Sequence, residues 1–327
     1  MITTPVNPNL QPEARQLLAY LADIEGKAIL TGQHTQTRPQ EELALILRET
    51  GKLPAVCGFE LLAYSPNVRL DGASEDCVTE VLNNQDTLEL AMSWGRNGGI
   101  VTFTWHWFSP LGGHDKSFYT ANTDFDPALA LQDGTPENKA FLHDLDHMAS
   151  LLQPFCDAHI PVLWRPFHES EGDWFWWGSK GVAVARELYR FMFKYFTAHH
   201  HLDNLVWVWN NPRIDGYVGD EYCDIISRDQ YPPAHAHGAF RDRYDELKAI
   251  TAADKGAAIA ETGVIPDADA LVAEKSPWLW YMTWSGSFAL TEDHNSFDAL
   301  RRLYHHDYAI TLDKLQAAKP FLNKELI

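Results

Sequence analysis

The chain has 327 residues, 45% hydrophobic and 12% aromatic, with ordinary counts of glycine and proline (20 and 18), which excludes a disordered or collagen-like chain. Acidic residues outnumber basic ones 45 to 26, for a formal net charge of −19. Such a field repels phosphate backbones and lipid headgroups, so neither nucleic acid nor membrane is expected as a partner. Chain length allows two domains or one large α/β barrel with insertions.

Strand-like and helix-like segments alternate along the chain. Before the first strand, 12–25 reads as a helix, with Pro12 suited to a first helical turn. Strands are expected at 27–34, 54–61, 99–107, 160–169, 204–210, 224–231, 256–261 and 278–285. Helical spacing fills 40–50, 87–96, 141–158, 182–200, 239–251 and 295–303, whereas 212–223 is poor in helix signal. Eight such units predict a single-domain (β/α)8 TIM barrel spanning 1–327. A doubly wound open sheet would predict a glycine-rich phosphate loop after the first strand, and none is there. The longest irregular stretch, 109–138, follows the third strand and is expected to wall one side of a cleft. The amino terminus has neither a basic patch nor an apolar core, so no signal peptide is expected; the chain reads as cytoplasmic, or as a trimmed mature form. Cys57, Cys77, Cys156 and Cys223 show no CxxC pairing and are expected as buried free thiols, with a Cys57–Cys77 disulfide as the alternative.

Polar and aromatic residues collect where strands end: Gln33-His34, Glu60, Trp105-His106-Trp107, Arg165 to Glu169, Asn210-Asn211, Asp229-Gln230-Tyr231, Glu261 and Trp284. In a barrel the carboxyl ends of the strands carry the catalytic groups. Glu169 and Glu261 end the fourth and seventh strands, on opposite sides of a ring of eight. Two carboxyl groups facing across a pocket suit glycoside hydrolysis, one protonating the leaving oxygen and the other attacking the sugar carbon or activating water. Several of the 12 tryptophans lie two apart, which on a strand places both rings on one face. Trp207, Trp209, Trp278 and Trp280 are therefore expected in the core. Trp174, Trp176 and Trp177 follow Glu169 in a polar loop, and at least one is expected to stack on a sugar. The run His199-His200-His201 is expected as a solvated helix end, and His34, His106 and His168 as positioning groups on the rim. No metal site and no cofactor are expected.

Arg165-Pro-Phe-His168-Glu169, followed by Trp174, resembles the acid/base motif of glycoside hydrolase family 26, chiefly β-mannanases. Asp224 to Tyr231, Ile259-Ala-Glu261-Thr-Gly263 and Met282-Thr-Trp284 resemble the family's later strand motifs; Ile29 to His34 and Trp105-His106-Trp107 match in kind. The resemblance runs from about residue 12 to the end, without a carbohydrate-binding module. It implies a retaining mechanism with Glu169 as acid/base and Glu261 as nucleophile. It implies that His106, His168 and Trp174 line the sugar site, that Asp229 and Tyr231 serve it with Tyr231 holding the nucleophile, and that Trp284 stacks under the sugar. The substrate it implies is β-mannan or mannooligosaccharide, handled by a monomer. Ser227-Arg228-Asp229 stands where family members often have more apolar residues, which leaves open a β-1,3-xylanase, a mixed-linkage β-glucanase or an exo-acting mannobiohydrolase. Outside enzymes, the alternative is a catalytically silent sugar-binding barrel.

Overall fold

A computed structural model describes residues 1–318. Eight parallel strands close into a barrel: β1 (Gly32–His34), β2 (Val56–Glu60), β3 (Ile100–Thr104), β4 (Val162–Trp164), β5 (Leu205–Asn210), β6 (Ile225–Gln230), β7 (Gly256–Thr262) and β8 (Tyr281–Thr283). Gln33 of β1 pairs with Thr283 of β8 and completes the ring. Backbones come so close at this seam that a Cβ on Gly32 would collide with the carbonyl oxygen of Tyr281. The expected (β/α)8 architecture is therefore present, with a strand inside seven of the expected windows and β7 running one residue past its own, to Thr262. Ile29–Leu30 forms a separate parallel pair with Ala309–Ile310, outside the barrel.

Alternation along the strands divides the core in two. Val56, Ile100, Leu163, Val206, Val208, Ile225 and Ala258 face the barrel axis and pack with Leu17, Leu18 and Leu21 of the helix Pro12–Ile24. Several of these residues open their strands, so the helix closes the amino-terminal end of the barrel and leaves the opposite mouth free. The larger cluster lies between the strands and the surrounding helices and holds Trp164, Trp207, Trp209 and Trp278. All four cysteines are buried and free.

Helices also lie where none is expected, among them Glu75–Asn83, whose cap Ser74 accepts from the Cys77 amide, Ala268–Glu274, capped by Asp267, and Leu312–Ala318. The expected helix over 182–200 is α-helical only at Val182–Lys194. It widens into a π-turn at Tyr195–His199, where His200 and Tyr195 both contact Asp146. Within 109–138 the chain forms a 3-10 turn, Thr120–Asn122, and a short helix, Pro127–Ala130, before the long helix Pro136–Asp157 begins.

Candidate active site

The barrel mouth is built around a buried arginine. Arg165 follows β4 directly, is 1% exposed, and donates through Nη1 to Asp229 Oδ2 at 2.9 Å and through Nη2 to Thr104 Oγ1 at 2.8 Å and to Glu261 Oε1. Asp229 and Glu261 face the same guanidinium because the β6–β7 ladder slips. Arg228 pairs with Ile259, but Asp229 pairs with Glu261, leaving Ala260 without a partner in the register. A slip of this kind re-aims side chains at the end of a ladder. Both carboxyls then point to one place. Tyr231 donates its hydroxyl to Glu261 Oε2 at 3.0 Å, and Asn210 Nδ2 donates to Asp229 Oδ1 at 2.8 Å.

Glu169 stands on a turn beyond the end of β4. Phe167 and Glu169 have φ of 55° and 53°, left-handed values that side-chain-bearing residues seldom adopt. Backbone of this kind persists only where neighbours hold it. Here Asn210 Oδ1 accepts from the Glu169 amide at 2.9 Å, and the Trp177 indole donates to the His168 carbonyl at 2.8 Å. Asn210 thus ties the acidic cluster to the Glu169 turn through one side chain. Trp174 Nε1 donates to Glu169 Oε2 at 3.0 Å. The segment after β3 braces this loop: the Thr120 amide donates to the Trp174 carbonyl at 2.8 Å, Thr120 Oγ1 to the Asp173 carbonyl at 2.7 Å, and the Trp176 amide to the Phe118 carbonyl at 3.0 Å. Tyr119 and Phe175 stack across the join.

One carboxyl oxygen from each of Glu169, Asp229 and Glu261 lies within 4.8 Å of the other two. Burial, and then the repulsion of Asp229, raises Glu169 to about 7. Glu261 is raised by the same two effects, with Arg165 opposing them. Three carboxyl groups facing one guanidinium retain a proton that isolated carboxylates would release. Donor geometry decides where it resides. Glu261 accepts from the Arg165 cation and the Tyr231 hydroxyl, whereas Glu169 accepts, among the described residues, from the Trp174 indole alone, so the donors around Glu261 favour its ionised form more than those around Glu169 do.

The remaining rim residues divide by exposure. Glu60 Oε1 accepts from the His106 amide at 2.9 Å, and its Oε2 lies 2.7 Å from His106 Nδ1. Burial alone would lower the His106 pKa, but the Glu60 carboxylate outweighs it and raises it. His34 stacks on Trp284 at 4.0 Å, and burial followed by the His106 charge lowers it to about 3, so it is a neutral ring. His168 is buried, 4.7 Å from His106 ring to ring, and is also held neutral by burial. Asp229, expected as a substrate contact, lies on the wall of the cleft beside Glu169, and its two oxygens accept from Arg165 and Asn210. Of the three loop tryptophans, only Trp174 reaches solvent (44% exposed); Trp176 and Trp177 are buried, their indoles donating to the carbonyls of Trp107 and His168. The sequence reading passed over Glu171, Phe240 and Arg243, which line a cleft of about 310 Å³ with Glu169, Trp174, Arg228, Gln230 and Tyr231. Glu171 has a signal in hindsight: an acidic residue in a tryptophan-rich loop, two positions after a strand-end glutamate.

A closed parallel barrel with paired carboxyl groups at its carboxyl-terminal mouth defines the architecture of the barrel glycoside hydrolases. Residues 6–314 match the sequence profile of glycosyl hydrolase family 26, and the chain belongs to that family. It is 38% identical over 318 residues to a mannan endo-1,4-beta-mannosidase of Thermothelomyces thermophilus, covering 95% of this chain and 63% of the relative. It is 30% identical over 319 residues to mannan endo-1,4-beta-mannosidase B of a Piromyces species, covering 95% of this chain and 53% of the relative. The chain thus spans less than two thirds of the length of these relatives. Among solved structures, the Podospora anserina GH26-CBM35 beta-(1,4)-mannanase superposes with a TM-score of 0.88 at 35% identity, over 97% of this chain and 69% of the other. The beta-mannanase from a symbiotic protist of the termite Reticulitermes speratus, complexed with a gluco-manno-oligosaccharide, gives 0.86 at 30% identity, over 96% and 98%.

Proposed function

We propose that this chain is a retaining endo-β-1,4-mannanase, with Glu169 as acid/base and Glu261 as nucleophile. The observation that carries the reading is that one carboxyl oxygen of Glu169 and one of Glu261 lie within 4.8 Å of each other at the same mouth of the barrel, which supports the closely spaced carboxyl pair of a retaining enzyme. Protonated Glu169 gives its proton to the glycosidic oxygen as that bond breaks. Ionised Glu261 forms a bond to the anomeric carbon, and the leaving sugar departs as an alcohol. Glu169, now ionised, takes a proton from water as the water attacks the same carbon and releases Glu261. Two inversions leave the configuration retained. Arg165 and Tyr231 hold Glu261 ionised and aimed. Removing the Glu261 charge in the intermediate lowers the pKa of Glu169, so one group serves as acid and then as base.

Mannan is proposed as the substrate because the relatives of known activity are mannan endo-1,4-beta-mannosidases. Hydrolysis of β-mannan, glucomannan, β-1,3-xylan and mixed-linkage β-glucan, with products sized and the anomer of the first product read by NMR, tests it. Internal cleavage of mannan with the β-anomer formed first is the expected result. Release of mannobiose alone, or the α-anomer first, overturns it.

A further inference from the structure

The cleft of about 310 Å³ touches Glu169, Asp229, Trp174 and Tyr231 but not Glu261, His106 or Trp284. It therefore lies on the acid side of the scissile bond, where a leaving group sits, and its volume is at the lower end of the roughly 300–1,000 Å³ of small-molecule sites. The residues of its wall carry buried polar atoms without a hydrogen-bond partner among the described residues: Glu171 Oε2, both amide atoms of Gln230 and Arg228 Nε. Gln230 is only 7% exposed. Arg228 is otherwise anchored, its Nη1 donating to Glu246 Oε2 at 2.6 Å and to the Arg243 carbonyl at 3.2 Å. Buried polar groups are normally paired, so several orphans around one cavity point to a ligand that pairs them. An acid, an amide and a cation edge together offer acceptors and donors, which matches the neighbouring hydroxyls of a sugar ring. Glu171 is also the wall shared with a second, more open hollow of about 480 Å³ bordered by Gly178, Gly181 and Arg213, which continues the path outward.

We propose that Glu171 and Gln230 form the polar wall of a subsite for the sugar expelled as the leaving group, and that they set how strongly a leaving sugar is preferred to a simple phenol. This rests on the glycosidase reading above. Glu171 is additionally a neighbour in charge: after burial and Asp229, it is the next contributor raising Glu169, while burial and then Asp229 raise Glu171 itself against the lowering by Arg228 and Arg213. Glu171 thus has two independent readouts, leaving-group selectivity and the pH at which Glu169 loses its proton.

The test measures kcat/KM for mannopentaose and for an aryl β-mannobioside with a nitrophenolate leaving group, in wild type, Glu171→Gln and Gln230→Met. Losing a hydrogen bond to a charged acceptor predicts for Glu171→Gln a fall of ~10-fold on mannopentaose, chiefly in KM, and a smaller fall on the aryl substrate. Its basic limb on mannopentaose should move to lower pH, because a negative neighbour of Glu169 is gone. Gln230→Met should change the same ratio of substrates without moving the limb, and it carries the test if Glu171→Gln does not fold. Equal losses on both substrates, or full activity on mannopentaose in both variants, overturn the subsite. A wild-type protein inert on both substrates overturns instead the glycosidase reading on which it rests.

Discussion

Replacing Trp174 by Phe keeps a ring in the loop and deletes one donor, the indole N–H at 3.0 Å from Glu169 Oε2. That bond favours the ionised form of Glu169, so its loss raises a pKa already near 7. A hydrogen bond to a charged group is worth about 1.5–3 kcal/mol net where water is excluded. Trp174 is 44% exposed, so water replaces part of the lost bond and roughly half of that range survives, about 0.7–1.5 kcal/mol. At about 1.36 kcal/mol per unit, the pKa rises by roughly 0.5–1. Cleavage of mannopentaose requires protonated Glu169, so the basic limb of its kcat/KM profile should move to higher pH by that amount. Weaker stacking on the sugar would scale the whole profile down without moving the limb. A limb that stays in place, or moves to lower pH, would show that the proton seen in the profile is not on Glu169.

Further outcomes follow from the same geometry. Glu169→Ala should still form the glycosyl-enzyme from a substrate whose leaving group needs no proton, giving a burst and rescue by azide; Glu261→Ala should give neither, and the reverse pattern would exchange their roles. Arg165→Met leaves Asp229 and Glu261 buried without their countercharge and should cost about 3–5 kcal/mol in urea unfolding at neutral pH. Both carboxyls have raised folded-state pKa values, so the penalty is small while both proteins hold those protons and grows as pH climbs through the raised values, where the wild type ionises beside Arg165 and the variant does not; an equal penalty at pH 5 and pH 8 would contradict this. Thr120→Pro deletes the amide donor to the Trp174 carbonyl at a position that opens a 3-10 turn and tolerates proline. Faster hydrogen exchange confined to residues 169–176, with a several-fold fall in kcat, is the expected result, and unchanged exchange there would remove the bracing role of the segment after β3.

Strand order, barrel closure and the meeting of Glu169 with Glu261 were legible because each depends on local signals: apolar runs, and polar residues where those runs stop. Loss of periodicity marked where β4 stops less well. The reading ran the strand to residue 169, but the ladder ends at Trp164 and two left-handed residues turn the chain before Glu169. Strain held by Asn210 and Trp177, both distant in sequence, leaves no trace in the segment itself. The same limit governs Trp174, Trp176 and Trp177. Three tryptophans in one loop are equally apolar, and only the contacts of their indoles with Glu169, Trp107 and His168 decide which one faces the cleft. The helix Glu75–Asn83 carried a readable serine cap, but it buries only Cys77 and Val81, too narrow an apolar stripe for periodicity to stand out. Asp229 was found by position, but its bonds to Arg165 and Asn210 were not legible, because a carboxylate for a guanidinium and one for a sugar look alike until the arginine is in place.

The two carboxyls proposed for catalysis rest on supports of different kinds. Glu261 belongs to a strand of the closed barrel, whereas Glu169 stands on a strained loop laced to the segment after β3. For protein engineering this means that the loop and its brace are one exchangeable part. Grafting the Glu169–Trp177 loop from a relative without the matching Phe118–Thr120 segment would leave the turn unsupported. Exchanging the two together would replace the leaving-group half of the cleft while the platform for Glu261 stays as it is.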